Sequence, residues 1–427
     1  MNQRYLFLLV VLSAVTSMSP SLLLAEDWPA FRGANGDGES NASNVPVKWS
    51  STEGVDWKHE LPGQSNGSPI ISNHHIFLTS ASTDGHQRTL HCFSLDGDAL
   101  WARSVLFDKD LPTHETNLYG GTTPVANGSV VVVWHASAGL FCYDFSGNEK
   151  WHQVPGEFRH MWGYGTSPVI SGDRVILHSG PGASVFVAAF DLESGKQLWR
   201  FEEPVSGNGE SNENGKYMGS WSTPRIIPGG SHSTVVCSMA TRVIGLDETS
   251  GTLRWWCEGL RGERGDLCYT SPVISGDICV ALGGYQGPAI GFRMQGSDNI
   301  TDSSRLWRTD QGNPQRIGSG MLVDGLLIAP SAGPNLIQAI DPLTGDIKWQ
   351  ERSPGGAFWG SLIRSYGRCY LTDQAGETLV FRPDATGLNI IARNSLNDPG
   401  NSTPAPTDGK IVIRTFRHLY CIRGVSE

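Results

Sequence analysis

The sequence predicts an all-β fold, an eight-bladed β-propeller of four-stranded antiparallel blades, and three observations lead to this prediction. A motif that contains Gly and Trp recurs along the chain. A Ser/Thr-Pro start lies upstream of each copy, and the two chain ends carry complementary fragments of one repeat. Repeats of roughly 40 to 50 residues, each divisible into short strands, are typical of propeller blades.

The recurring motif is clearest from Ala189 to Trp199, which reads A-F-D-L-E-S-G-K-Q-L-W. Copies with the same Asp-to-Trp spacing end at Trp255 and Trp349. A small residue, an Asp that bonds turn amides and a Gly that supplies a positive φ indicate a strand, a tight turn and a second strand. The Trp then gives each outer strand a large anchor with one N–H to satisfy. We expect this structural role for Trp57, Trp101, Trp151, Trp199, Trp255, Trp307 and Trp349.

The start of each repeat is marked by Ser/Thr-Pro followed by alternating apolar residues and a Gly/Asp turn, as in the stretch from Thr166 to Leu177. This pattern predicts a β-hairpin. Successive starts are 42 to 56 residues apart by subtraction, so the chain contains eight units. The Pro position falls at Pro69, Pro124, Pro168, Pro224, Pro272, Gly320, Leu362 and Pro404.

The two ends of the chain predict how the ring closes. Trp57 is an outer-strand Trp without inner strands of its own, whereas the last unit ends near Arg423 without a Trp. Pairing the strand around Val55 to Trp57 with the strand from Leu419 to Arg423 would remove two exposed sheet edges. We therefore expect an N-terminal strand to close the propeller.

The N-terminus resembles a secretory signal peptide, because Arg4 precedes an apolar run that leads to Ala25. An uncleaved anchor is the alternative, although the run is shorter than the ~20 apolar residues of a membrane span. The predicted organisation is a signal peptide over residues 1–25, an extended segment that docks on the propeller over 26–44, and the eight-bladed propeller over 45–424.

Composition restricts the functional classes. Only 17% of residues are charged, the net charge is −10, and no Lys/Arg stripe is visible, so we expect neither disorder nor nucleic-acid binding. Cys142, Cys279, Cys369 and Cys421 occupy repeat positions typical of core residues, whereas Cys257 and Cys268 are the one pair considered for a disulfide.

Catalytic and metal-binding motifs are absent from the sequence, including G-x-S-x-G, H-E-x-x-H, phosphate-binding loops and EF-hand loops. The acidic stretch from Asp298 to Asp302 could ligate Ca²⁺, but a surface turn is favoured. We therefore expect no metal site.

The motif A-x-D-x-x-T-G-x-x-x-W resembles the repeat of the pyrroloquinoline-quinone-like (PQQ-like) β-propeller family, over roughly residues 45–423. The family includes quinoprotein alcohol dehydrogenases and BamB-type outer-membrane assembly factors, both eight-bladed. The opening from Trp28 to Gly33 is also similar to the start of planctomycete-type exported PQQ-repeat proteins. Such a resemblance implies a fold more strongly than an activity.

The resemblance offers two different functions. The dehydrogenases bind PQQ under a pair of adjacent, disulfide-linked cysteines and use Glu, Asn and Asp around Ca²⁺, but this sequence has no adjacent cysteines and no matching set of ligands. We therefore expect no cofactor and a non-catalytic binding or assembly scaffold in the cell envelope, exported to the periplasm or beyond and monomeric, whose partner is an envelope protein or a glycan. A PQQ-dependent or degenerate oxidoreductase is the alternative, and a glycan-binding module is the third interpretation.

The candidate binding residues follow from propeller geometry. The first strand of each blade lines the central channel, so the loop before each Ser/Thr-Pro, here called the lead loop, opens at the mouth of a funnel. These loops are rich in aromatic residues, although turns usually favour Gly, Pro, Asn, Asp and Ser. Packing between neighbouring blades is the alternative role for these side chains. The predicted funnel residues are Tyr119, Trp162, Tyr164, Tyr217, Trp221, Tyr269, Arg316, Phe358 and Trp359.

Overall fold

The computed structural model describes residues 26–182, 184–208, 218–230, 232–309 and 313–424. The predicted signal peptide, residues 1–25, lies outside the described residues. Eight sheets of four antiparallel strands form the blades, and the innermost strands of neighbouring blades contact one another around a central channel. Two of these sheets gain a fifth, parallel strand, and the described chain also has a separate two-stranded parallel sheet. The predicted eight-bladed propeller is therefore confirmed.

Blades 1 to 4 follow in chain order after two N-terminal strands, β1 (Glu39–Ser40) and β2 (Val55–Glu60). Blade 1 contains β3 (Ile70–Ser72), β4 (His75–Ala81), β5 (Gln87–Ser94) and β6 (Ala99–Leu106). Blade 2 contains β7 (Val125–Ala126), β8 (Val130–Trp134), a 3₁₀ turn (Ala136–Ala138), β9 (Leu140–Asp144) and β10 (Glu149–Gln153). Blade 3 contains β11 (Val169–Ser171), β12 (Arg174–His178), β13 (Phe186–Asp191) and β14 (Gln197–Glu202). The short helix α1 (Val205–Asn208) and β15 (Met218–Ser220) precede blade 4, which contains β16 (Arg225–Ile227), β17 (Thr234–Ser238), β18 (Arg242–Asp247) and β19 (Leu253–Glu258).

Blades 5 to 8 repeat this arrangement. After β20 (Asp266–Cys268), blade 5 contains β21 (Val273–Ser275), β22 (Ile278–Leu282), β23 (Ala289–Arg293) and, beyond β24 (Asp298–Asn299) and helix α2 (Thr301–Ser304), β25 (Arg305–Arg308). Blade 6 contains β26 (Met321–Val323), β27 (Leu326–Pro330), β28 (Leu336–Ile340) and β29 (Ile347–Arg352). Blade 7 contains β30 (Ile363–Ser365), β31 (Arg368–Thr372), β32 (Glu377–Pro383) and β33 (Leu388–Ser395). Blade 8 contains β34 (Ala405–Thr407), β35 (Lys410–Arg414) and β36 (His418–Ile422).

The ring closes between the two ends of the propeller. Strand β2 supplies the outermost strand of blade 8 by pairing antiparallel with β36, and Trp57 lies opposite Cys421. The closure predicted from the orphan Trp and the Trp-less last unit is therefore confirmed. Strand β2 covers the outer edge of β36, which would otherwise be open to unwanted pairing with another chain.

The repeat motif has a direct packing explanation. The small residue lies opposite the Trp on the neighbouring strand, as Ala189 does opposite Trp199 and Gly245 opposite Trp255. A β-carbon added at Gly245 would lie 2.2 Å from Cε2 of Trp255, so the indole covers this position. In these strand pairs, the small residue therefore leaves room for the large Trp side chain opposite it.

The cysteines fill the same small position or other core sites. Cys142 lies opposite Trp151, and all eight cysteines are buried and free. Cys257 and Cys268 form no disulfide, so this interpretation of the sequence is corrected. Burial raises the pKa of each of these two thiols to about 12, and they contribute to the core as small apolar residues.

The N-terminal segment runs across the face where the innermost strands end, opposite the lead loops. The backbone of Trp28 pairs with that of Ile71 at 2.8 and 2.9 Å. Farther along, β1 pairs in parallel with β30 of blade 7. Between these points, the buried guanidinium of Arg32 donates from Nη2 to the carbonyl oxygen of Gly320 at 2.6 Å. The segment thereby connects three blades beneath the channel.

Candidate functional site

A ring of hydroxyl groups surrounds the channel. At seven blade junctions in the described chain, the backbone N–H of one Ser or Thr donates to the hydroxyl oxygen of the next, at 2.9 to 3.1 Å. Each of these side chains is at most 6% exposed. Because the hydroxyl oxygens at these seven junctions accept a backbone bond, their own O–H groups remain donors for the channel. The hydroxyl ring consists of Ser68, Thr123, Ser167, Thr223, Ser271, Ser319, Ser361 and Thr403.

A second ring lies two residues earlier in each lead loop. Alternate residues of an extended chain point to the same side, so these residues face the channel together with the hydroxyls. All eight line a cavity of about 540 Å³, within the range of roughly 300 to 1,000 Å³ typical of small-ligand sites. This upper ring consists of Asn66, Gly121, Gly165, Trp221, Tyr269, Ile317, Trp359 and Asn401.

One wall of the cavity is aromatic. The ring centroids of Trp221 and Tyr269 lie 5.3 Å apart, and those of Trp162 and Trp221 lie 6.1 Å apart. Tyr285 extends this wall, with its ring centroid 6.2 Å from that of Trp162. All four side chains are partly exposed, so their ring faces and edges are accessible from the cavity.

His160 positions the aromatic wall from behind. Its Nδ1 accepts the backbone N–H of Trp162 at 3.1 Å, and its Nε2 lies 3.0 Å from the carbonyl oxygen of Met218, so Nε2 carries the proton. The imidazole also packs edge-on against Trp221, with centroids 5.0 Å apart. Burial lowers the pKa of His160, which favours the neutral form that this pair of bonds requires.

A strained turn carries Tyr285 into the cavity. Tyr285 and Gln286 have φ angles of 48° and 67°, in the left-handed region that non-Gly residues adopt only at a cost. The preceding Gly284 lies against the Tyr269 ring, because a β-carbon there would be 2.5 Å from Cε2 of Tyr269. The hairpin between β22 and β23 thus places Tyr285 in the cavity lining and packs Gly284 against the Tyr269 ring.

The opposite wall consists of side-chain amides. Asn66 donates to the carbonyl oxygen of Thr116 at 2.8 Å, and Asn401 donates to Oδ1 of Asn66 at 3.3 Å. Asn117 donates to the carbonyl oxygen of Trp162 at 2.6 Å and thereby joins the two walls. Gln315 also lines the cavity, and within the described chain its side-chain amide makes no hydrogen bond.

The structure brings together four of the nine predicted funnel residues. The cavity is lined by Trp162, Trp221, Tyr269 and Trp359. A fifth predicted residue, Tyr217, lies outside the described residues. The side chains placed elsewhere are Tyr119, Tyr164, Arg316 and Phe358.

Strand alternation explains three of these four placements. Tyr164, Arg316 and Phe358 are three residues before the Ser/Thr of their units and point between the blades, with exposures of 6%, 1% and 0%. Arg316 donates to Oε1 of Gln338 at 2.7 Å, so it does not supply the cationic group expected at the funnel.

Tyr119 belongs to a cation–π cluster between blades 1 and 2. The guanidinium carbon of Arg88 lies 5.9 Å from the Tyr119 ring centroid and 5.2 Å from that of Tyr164. The Tyr119 hydroxyl donates to the carbonyl oxygen of Leu111. These two tyrosines therefore have the alternative role expected from the sequence, which is packing between neighbouring blades.

Several cavity residues were not among those predicted from the sequence. Asn66 and Asn401 precede the Ser/Thr by the same two residues as Trp221 and Trp359. Their spacing would have identified them, but the predicted residues were chosen mainly because they are aromatic. Asn117, Gln315 and Tyr285 lie at no fixed distance from the motif and depend on loop conformations that no sequence pattern specified.

The cavity lining is uncharged in the part of the chain that the structure describes. No Asp, Glu, Lys or Arg side chain lines it, and no group of three or more His, Cys, Asp or Glu residues is placed to hold a metal ion. The acidic stretch considered for Ca²⁺ forms β24, beside the outer strand of blade 4, and the start of α2. PQQ carries several carboxylates and would need cations or a metal here, so the described lining does not fit this cofactor.

The fold and the cavity define a closed eight-bladed propeller with an axial cavity. A family model described as outer membrane protein assembly factor BamB matches residues 86–351, and the chain belongs to this family of PQQ-like repeat propellers. A search of curated proteins finds no significant match.

Solved structures agree with this assignment at the level of the fold. BamB from Moraxella catarrhalis superposes with a TM-score of 0.57 at 14% identity, covering 86% of this chain and 95% of that one. A europium-containing methanol dehydrogenase gives a TM-score of 0.68 at 10% identity, covering 92% and 97%. The quinohemoprotein alcohol dehydrogenase from Comamonas testosteroni gives 0.67 at 12% identity, covering 94% and 81%. Both functional types of neighbour therefore share the architecture, which decides nothing between them.

Within the described ranges, no helix has the length and apolarity required to cross a bilayer.

Proposed function

We propose that the chain is a non-catalytic binding protein that acts as a scaffold in the cell envelope and recognises its partner at the axial cavity. The observation that supports this most directly is the lining of the cavity, where partly exposed aromatic rings face neutral amides and hydroxyls. Aromatic anchors in a concave site supply binding energy, and convergent polar groups fix orientation. The predicted signal peptide and the family description support a location outside the cytoplasm. The proposed species is a monomer that binds an envelope protein or a glycan and no nucleic acid.

The chemistry of the lining favours binding over catalysis. General acid–base catalysis needs an ionisable group within hydrogen-bond reach of the reacting atom. Apart from its two tyrosines, the described lining offers one titratable side chain, His114. Its Nδ1 already lies 2.8 Å from the hydroxyl oxygen of Thr116, at an exposed position on the rim. A lone rim imidazole without an orienting carboxylate is a poor catalytic centre.

The test removes two anchors from opposite parts of the cavity. Trp162→Ala and Trp359→Ala together should reduce capture of the partner from envelope extract by more than about tenfold, since interface anchors of this type contribute about 2 kcal/mol or more each. Tyr366→Ala is the matched control, because Tyr366 is 72% exposed in the turn between β30 and β31, where the innermost strand of blade 7 ends. Undiminished capture by a folded double variant would refute the proposal, and unfolding of that variant would assign both tryptophans to the core.

We also propose that the protein does not use PQQ. Titration of the purified protein with PQQ and Ca²⁺ should give no stoichiometric binding, and added alcohols should give no PQQ-dependent dye reduction. The physical reason is that a carboxylate-rich cofactor would be desolvated in an uncharged site without compensating charge. Tight binding or dye reduction would favour the oxidoreductase alternative.

A further inference from the structure

We infer that the axial cavity binds the neutral sugar units of a glycan. This inference rests on the proposed binding function and narrows its ligand from any envelope partner to an uncharged carbohydrate. Four features of the cavity support it: an aromatic wall, polar groups with free hydrogen-bonding capacity, two positions without a side chain and the absence of charge.

The aromatic wall suits the apolar face of a sugar ring. A pyranose carries its C–H groups on one or both faces, and such a face packs well on the flat surface of an indole or phenol. Trp162, Trp221 and Tyr269 present three partly exposed rings within 6.5 Å of one another by centroid. Such a wall can accommodate a sugar ring without any charged contact.

The polar groups of the cavity can both donate and accept, as sugar hydroxyls do. Within the described chain, the amide of Gln315, the indole N–H of Trp359 and the hydroxyl of Tyr269 make no hydrogen bond. An amide offers two donors and one acceptor, and each hydroxyl offers one donor and an acceptor. The hydroxyl ring adds further donors at the depth of Ser167 and Thr223, both lining the cavity.

Two positions of the upper ring carry no side chain, because they are glycines. Gly121 and Gly165 stand where other blades carry Trp, Tyr, Ile or Asn. A β-carbon at Gly165 would lie 3.5 Å from Cδ1 of Trp221, so a larger side chain there would occupy space beside the aromatic wall. The space beside Gly165 is therefore available to the sugar.

The charge pattern selects a neutral ligand. An acidic glycan would need Lys or Arg in the site, and the described lining has neither. The net charge of −10 also disfavours approach of an anion. A proline-rich peptide is less suited, because it needs a long open groove. Here Phe31 of the N-terminal segment joins the hydroxyl ring in lining the cavity, which is therefore bounded on the face opposite the lead loops.

The test uses defined neutral oligosaccharides: cellohexaose, xylohexaose, mannohexaose and chitohexaose. At least one should bind saturably, with one site per chain by calorimetry and a change in tryptophan fluorescence, and its affinity should change less than about twofold between roughly 50 and 500 mM salt, since no ion pair is involved. Trp162→Ala and Gly165→Leu should each weaken binding at least about tenfold. Gly230→Leu is the control, because a β-carbon at Gly230 meets no atom within 4 Å and its φ is not in the positive region.

The outcomes separate this inference from the proposed function. If none of the four oligosaccharides binds while partner capture still depends on Trp162 and Trp359, the carbohydrate inference fails and the binding function stands. Preferential, salt-sensitive binding of a galacturonate hexamer, or binding of decaproline in place of the sugars, would also overturn it. If neither sugar binding nor partner capture responds to these substitutions, both proposals fail.

Discussion

The indole of Trp199 in blade 3 lies against Gly251 in the turn of blade 4. A β-carbon at Gly251 would be 2.4 Å from Cε3 of Trp199, and the indole N–H donates to the carbonyl oxygen of Glu248 in the same turn at 2.9 Å. The Trp of one motif therefore meets the Gly of the next. The same contact recurs at Trp57 with Gly97, Trp101 with Gly147, Trp151 with Gly195 and Trp307 with Gly345.

The first prediction is that Gly251→Ala destabilises the propeller. Its φ of +70° strains any L-residue, at roughly 1 to 2 kcal/mol, and the clash with Trp199 adds an overpacking cost of about 1 to 3 kcal/mol. Gly276→Ala is the control, because its φ is +56° but a β-carbon there meets nothing within 4 Å. Urea unfolding should show the larger loss for Gly251→Ala. Equal losses would mean that the contact between blades relaxes freely.

The second prediction concerns ring closure. Removing residues 26–60 deletes β2 and leaves β36 as an open sheet edge paired only with β35, so the melting temperature should fall sharply or folding should fail. Removing only residues 26–44 should lower the melting temperature less, because β2 is retained. This shorter deletion loses the contacts of Trp28 and Arg32 beneath the channel but leaves the ring closed. A melting temperature unchanged by the longer deletion would contradict the closure as a source of stability.

The fold was predictable because its determinants repeat. A Gly turn and a Trp anchor recur at constant spacing, and both roles are local, so eight copies reinforce one interpretation. The odd end fragments likewise specified the closing strand. What repetition leaves open is the conformation of loops that occur once, such as the turn that carries Tyr285.

The candidate site was predictable only in part, for a reason visible at Phe358 and Trp359. The two residues are adjacent, yet Phe358 is fully buried between blades and Trp359 lines the cavity. Counting aromatics per loop treats them alike, whereas counting positions back from Ser361 separates them by the alternation of an extended chain. Arg316 was misplaced for the same reason.

The third prediction is acid sensitivity from buried histidines. Burial lowers the pKa of His135 to about 3 and those of His91 and His178 to about 4, against an ordinary value of 6.5. Below pH 6.5 these three histidines take up protons in the unfolded chain but stay neutral in the folded chain. The free energy of unfolding is therefore unaffected by them above pH 6.5 and decreases as the pH falls towards 4. The slope should approach about 4 kcal/mol per pH unit, from about 1.4 for each histidine.

A single substitution tests this origin. His178 donates from Nδ1 to the carbonyl oxygen of Ser222 at 2.9 Å, and Asn retains a donor close to that position. His178→Asn should therefore reduce the slope of unfolding free energy between about pH 6 and pH 4 by roughly one third. Denaturation series at several pH values measure this slope. An unaltered slope would show that other groups govern the acid response.

The last prediction concerns the hydroxyl ring. The Ser167 hydroxyl accepts the buried backbone N–H of Thr123 at 3.0 Å, while the N–H of Ser167 donates to Thr223 at 3.1 Å. Ser167→Ala removes one acceptor and leaves a buried donor without a partner, which should cost about 1 to 3 kcal/mol. Ser167→Thr keeps the hydroxyl and is compatible with the ring, since other blades use Thr here, so its stability should stay within about 0.5 kcal/mol of the wild type. Urea unfolding of the two variants decides the matter. If Ala and Thr were equally tolerated, the ring would be a by-product of blade packing and not one of its sources.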